Sequence, residues 1–162
     1  MTILGIDPGL ERIGYAVVRR DGSRLQALDY GLIKTAPENL CDRLGRIHEA
    51  MQELLERTRP DAVATERLHF ATNRTTAMDV AKALGAILIA VGRSGAPWSE
   101  YTPTEVKKAV VGTGAADKAQ VRYMVIRLLA LSEPPRPDDV ADALAIAICH
   151  GLRSRVPGLS AR

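Results

Sequence analysis

The first 34 residues constrain the fold most. An apolar run, Ile3-Leu4-Gly5-Ile6, stops at Asp7 and is followed at once by Pro8-Gly9. A second run, IGYAVVRR at 13–20, ends at Asp21-Gly22, a strong hairpin signal, and RLQALDYGLIK comes next at 24–34. Three strand-like segments joined by such short turns are expected to form an antiparallel meander.

Beyond residue 34, helical and strand-like segments alternate. Residues 39–58 place Leu40, Leu44, Ile47, Met51, Leu54 and Leu55 on one helical face, and Pro60 ends that helix. DAVATE at 61–66 reads as a short parallel strand that again ends in a carboxylate, Glu66. A polar loop leads to a strongly apolar helix over 75–93, then a short strand at 97–101. TPTE at 102–105 is a helix start, with Pro103 at the first helical position and Thr102 and Glu105 as a capping box. A glycine-containing turn, VVGTG, leads to a helix over 117–131, and a last helix starts near Asp138. The predicted fold class is α/β: a mixed five-stranded sheet, three antiparallel strands then parallel ones, flanked by helices. Residues 1–154 are expected to form one domain and 155–162 a basic tail.

The composition, 46% hydrophobic and 25% charged over 162 residues, suits one globular domain with a proper core. No apolar run reaches the roughly 20 residues that cross a bilayer, and no signal-peptide pattern is evident. Cys41 and Cys149 lie far apart without metal-ligand spacing, so a reduced, cytoplasmic setting is expected. A net charge of +3 is compatible with a polyanionic partner.

In sheets of this kind, sites form beyond the carboxyl ends of the strands, where Asp7 and Glu66 both fall. The last helix adds Asp138, Asp139 and Asp142. Positions 139 and 142, or 138 and 142, share a helix face. Asp138 suits a helix cap, whereas Asp142 sits among apolar neighbours. Carboxylates converging on one place repel unless cations are present. Oxygen ligands without Cys or clustered His favour Mg²⁺ or Mn²⁺, and two such ions form a clamp for in-line phosphoryl displacement. A rigid strand ending in Asp7 would fix one ligand, and the hairpin beyond it would keep the backbone clear.

Four segments, GIDPGLERIGYAVV, AVATERLHFATN, VKKAVVGTGAADKAQV and DDVADALAIAICH, closely resemble the RuvC family of Holliday junction resolvases, which have an RNase H-like fold. The resemblance runs from residue 3 to about 151. It implies a structure-selective endonuclease that nicks two opposed strands symmetrically in recombination and repair, with Asp7, Glu66, Asp139 and Asp142 as the metal-binding catalytic tetrad. The family pattern Asp-x-x-Asp-Ala-Leu pairs Asp139 with Asp142 and leaves Asp138 as the cap. It further implies two Mg²⁺ or Mn²⁺ ions per site, four-way junction DNA as substrate, a homodimer, and branch-migration motor proteins of the RuvA and RuvB type as partners. The alternatives are a related RNase H-like nuclease acting on other branched or RNA-containing substrates, and a non-catalytic junction-binding scaffold.

The expected DNA contacts cluster around the glycine turn: Lys107 and Lys118 by the family pattern, then Lys108 and Arg122. Arg67, Arg74 and Lys82 are further candidates near Glu66. Phe70, the sole Phe, reads as a stacking wedge for an unpaired base, with His69 beside it as the alternative. The helix over 75–93, apolar almost all round, is the expected dimer surface.

Overall fold

The computed structural model describes residues 1–36, 38–68 and 74–154, with side chains of the last segment described from 77 onward. Ten elements keep the expected order: β1 (Thr2–Asp7), β2 (Arg12–Asp21), β3 (Arg24–Lys34), α1 (Leu40–Thr58), β4 (Ala62–Glu66), α2 (Arg74–Ser94), β5 (Trp98–Tyr101), α3 (Pro103–Val111), α4 (Lys118–Leu129) and α5 (Asp138–Arg153). The strands form one sheet in the order β3-β2-β1-β4-β5. β1, β2 and β3 pair antiparallel, while β4 and β5 add in parallel. This is the mixed sheet anticipated from the sequence.

Two local expectations need correction. Asp21 still pairs with Arg24, so the two residues of the β2–β3 turn are Gly22 and Ser23, one step later than Asp21-Gly22. The strand continues through Asp21 because the ladder extends one residue past the apolar run. Asp138 is the first residue of α5 and not its cap; Pro137 holds the cap position and makes no side-chain cap bond. The Asp138 carboxylate is instead drawn to Arg122 on α4, at 2.7 Å. The Thr102/Glu105 capping box of α3 forms as expected, and α4 has a second one from Asp117 and Gln120.

The period-2 alternation of the central strands builds a core on each face. Leu4, Ile6, Ile13 and Val17 meet Ile47 and Met51 of α1 and Ile87 of α2 on one side. Ile3, Ala16, Val18 and Ala64 meet α3, α4 and above all α5 on the other. The whole run from Val140 to Gly151 is buried but for Asp142, which explains why α5 has no polar face beyond its first turns. No described helix is long and apolar enough to cross a membrane.

Helix α5 lies unusually close to the sheet. A Cβ on Gly5 would fall inside contact distance of the Ala143 carbonyl and 2.7 Å from the Ala147 amide, and one on Gly14 would strike the Asp139 carbonyl. Those two glycines, Gly5 opposite Ala143 and Ala147 and Gly14 opposite the Asp139 backbone, set the height of α5 above β1 and β2. Gly14→Ala and Gly5→Ala should therefore each lower the unfolding free energy by about 1–3 kcal/mol in urea titrations. Gly45→Ala, where a Cβ meets nothing on α1, should leave stability unchanged or raise it by up to about 1 kcal/mol.

Candidate active site

The sheet register brings the first two carboxylates together. Ile6 pairs with Thr65 in the parallel β1–β4 ladder, so the next position on each strand places Asp7 beside Glu66. Ile3 and Gly5 face α5, as does Ala64. Alternation therefore turns Asp7 and Glu66 to that same face. The close seat of α5 then brings its first turns over them. Asp139 rests above Gly14, which is the antiparallel partner of Asp7. Asp142 comes three residues later.

These groups feel one another strongly. The Asp7 carboxyl is raised to about 8, first by burial and then by the charges of Asp142, Glu66 and Asp139. Glu66 is raised to about 7 by burial and by Asp142, against the opposing pull of Lys118 and Lys107. Asp142 is raised by burial, with Lys118 opposing. A neutral acid at physiological pH marks a carboxylate without enough compensating positive charge, the electrostatic condition of a cation site. The donors are all oxygens, which suits a hard divalent ion.

The cations present compensate only at the rim. Lys118 Nζ stands 3.5 Å from Asp142 Oδ2, and its own pKa is raised by that neighbour. Arg12 Nε stands 3.5 Å from Asp139 Oδ2. Asp7, Asp139 and Asp142 share an open cleft of about 760 Å³ with Arg12, Lys118, Arg122 and Arg136. Among the described residues, no three His, Cys, Asp or Glu side chains are already closed around one point. Asp139 is turned toward Arg12 and Asp142 toward Lys118.

Of the expected DNA contacts, Lys107 and Lys118 are brought close enough to Glu66 to lower its pKa. Lys108 runs its stem along the glycine turn, where a Cβ on Gly114 would sit 3.3 Å from its Cε. Arg122 is occupied by Asp138. Arg67 pairs with Glu100 at 2.9 Å, and Lys82 with Asp79 at 2.9 Å on α2. His69 and Phe70, and the side chain of Arg74, lie outside the described residues. The other two histidines make contacts within the fold. His150 Nδ1 is 3.0 Å from the Tyr101 hydroxyl, and His48 Nδ1 is 3.2 Å from the Ala86 carbonyl. Burial pushes the Cys149 thiol up to about 12, which makes it inert.

Arg12 and Arg136 were not singled out from the sequence. Arg12 reaches the cleft because the β1–β2 hairpin folds it back beside the N-terminus of α5, a long-range effect without local signal. The one available cue was its position two residues before Gly14, which faces Asp7 across the hairpin.

A central strand ending in a buried carboxylate, beneath a helix that carries an Asp-x-x-Asp pair, is the arrangement of the RNase H-like class. T. thermophilus RuvC in complex with Holliday junction substrate has that fold and superposes with a TM-score of 0.89 at 42% identity, over 94% of this chain and 93% of that one. A family model described as crossover junction endodeoxyribonuclease RuvC matches residues 3–150. The protein of that name from Moorella thermoacetica is 51% identical over 151 residues, which are 93% of this chain and 90% of the relative. The chain belongs to the RuvC family. Yeast mitochondrial Holliday junction resolvase Ydc2 shares the fold at 14% identity and a TM-score of 0.69, over 92% of this chain and 78% of that one.

The raised carboxyls have a consequence for stability. In the folded, metal-free protein Asp7 and Glu66 keep protons that the unfolded chain has released at the same pH. Their contribution is fully present below about pH 4 and is lost as pH rises through about 7 and about 8. Melting temperature without divalent ions should therefore fall between about pH 5 and about pH 8.5 more steeply in the parent than in Asp7→Asn. At the upper end the variant should be the more stable of the two. Added Mg²⁺ or Mn²⁺ should raise the parent's melting temperature at high pH and act little on the variant.

Proposed function

We propose that this chain is a Holliday junction resolvase that nicks two opposed strands of a four-way junction. The observation that carries the reading is the convergence of Asp7, Glu66 and Asp142, over-rich in negative charge, beyond the ends of β1 and β4. Membership of a family whose relatives are named crossover junction endodeoxyribonuclease supports it, as does the T. thermophilus relative solved with Holliday junction substrate.

In this reading residues 1–154 are the nuclease domain and 155–162 a basic tail. Asp7, Glu66, Asp139 and Asp142 hold two divalent ions, Mg²⁺ or Mn²⁺, which when bound supply an activated water and stabilise the leaving oxygen. Asp7 and Glu66, fixed at the ends of paired strands, set the floor of the site. Asp139 and Asp142 turn inward from Arg12 and Lys118. The released Lys118, with Lys107, meets the phosphate oxygens of the cut strand, and Lys108 the flanking backbone. Phe70, with His69 as the alternative, stacks on a base unpaired at the crossover. Arg74 completes the backbone contacts.

Symmetric nicking needs two copies of the site. The described surface of α2 favours it as the dimer seam: Met78 and Ile89 are 56% and 57% exposed, and Gly85 and Gly92 face open space on that helix. Branch-migration motor proteins of the RuvA and RuvB type are the expected partners on the junction, in the cytoplasm.

A labelled four-way junction incubated with Mg²⁺ or Mn²⁺ should give paired nicks in opposed strands, while a matched linear duplex stays intact. Asp7→Asn should reduce cleavage by at least about 10³-fold and leave junction binding within about threefold. Cutting of an RNA–DNA hybrid or flap in preference to the junction would favour the alternative nuclease reading; binding without cutting would favour the scaffold. Lys107→Ala with Lys118→Ala should make the slope of log affinity against log salt shallower by about 0.9 per lost phosphate contact. An unchanged slope would move these lysines off the DNA.

A further inference from the structure

Helices α4 and α5 are joined by two charged rungs. Lys118 and Arg122 are four apart on α4, so they share one face; Asp142 and Asp138 are four apart on α5 and share one face. The pairing is antiparallel, Lys118 with Asp142 at 3.5 Å and Arg122 with Asp138 at 2.7 Å. The rungs differ in kind. Asp142 belongs to the acidic cluster and would be withdrawn when an ion enters. Asp138 acts on Asp142 and Lys118 but not on Asp7, and it is bonded to Arg122 at 2.7 Å, a pairing that would persist.

Arg122 lines the same cleft but is committed to a partner there. Its Nε is enclosed and has no hydrogen-bond partner among the described residues. One of its two terminal nitrogens, Nη2, donates to Asp138. Beneath it, Val121, Val125 and Leu129 pack α4 onto the core, with Ala116 buried just before the helix, whereas Lys118 and Arg122 lie on the charged face that meets α5 through ion pairs alone.

We infer that the Arg122–Asp138 pair is a fastener that holds the start of α4 against α5, and so keeps Lys118 at the reaction centre after Asp142 has turned away from it. Arg122 is then a positioning residue that acts through Lys118, not a DNA contact. The inference rests on the junction-cleaving reading of the site, with Lys118 as a phosphate contact.

The test compares Arg122→Ala, Asp138→Ala, the double variant and the exchanged pair Arg122→Asp/Asp138→Arg, each also with Lys118→Ala. Single-turnover cleavage of saturated junction should fall about tenfold in either single variant, and by no more in the double. The exchanged pair should recover most of the loss. With Lys118 already Ala, neither change should cost anything further. A second readout needs neither metal nor DNA: ¹⁵N relaxation of the Lys118 ammonium in an Asp142→Asn background, which removes the other rung, assigned by its loss in Lys118→Ala. Its mobility should rise in both single variants and return in the exchanged pair. Parental or faster cleavage by Asp138→Ala beside a slow Arg122→Ala would overturn the inference, because Arg122 would then meet DNA directly. Multiplying losses, a further loss in the Lys118→Ala background, or unchanged ammonium mobility would overturn it as well. Failure of the parent to cut a junction at all would instead overturn the junction reading, while the ammonium mobility would still report on the fastener.

Discussion

The contact on which everything else depends is the seat of α5 on the sheet. Gly5 and Gly14 leave no side chain between β1–β2 and the helix, and Ala143 and Ala147 are small enough to lie against that surface. This closeness lowers Asp139 and Asp142 onto the floor formed by Asp7 and Glu66. A helix lifted by the width of one methyl group would still bury its apolar residues, but it would carry two carboxylates away from the other two. The small residues at this junction act through distance, and distance decides how strongly the four acids couple.

That coupling is unfavourable in the folded chain by itself. Burial and mutual repulsion push Asp7 to about 8 and Glu66 to about 7, and Lys118 and Lys107 offset only part of it. The fold tolerates this because two large apolar clusters, one on each face of the sheet, hold the strands and α5 in place regardless. A functional site thus costs stability that the core supplies, a common relation between rigid scaffolds and strained centres. Divalent ions would relieve the repulsion, so ion binding and stability are linked through the same carboxylates.

The cations around the cleft sort by what they touch. Lys118 and Arg12 each lean on an acid of the proposed metal-binding set. Arg122 leans on an acid outside that set. Lys118 and Arg122, four apart on one helix, therefore differ in the acid that each one meets.

Much of this was legible in the chain because it is local. The turns, the capping box at Thr102 and Glu105, and the strand ends at Asp7 and Glu66 arise from nearest-neighbour stereochemistry and from hydrophobic period. So does the burial of α5, whose apolar run leaves no face for water. The spacing of Asp138, Asp139 and Asp142 left two pairings open, since three and four residues both return to one helix face; only the family pattern chose between them. Tertiary structure decided what depends on distances between remote segments. It gave Asp138 to Arg122 instead of the helix cap, brought Arg12 to Asp139, and set how far Asp7 and Glu66 are driven from their ordinary acidity. Those outcomes are sums of burial and charge over elements up to a hundred or more residues apart, and no window of sequence contains them.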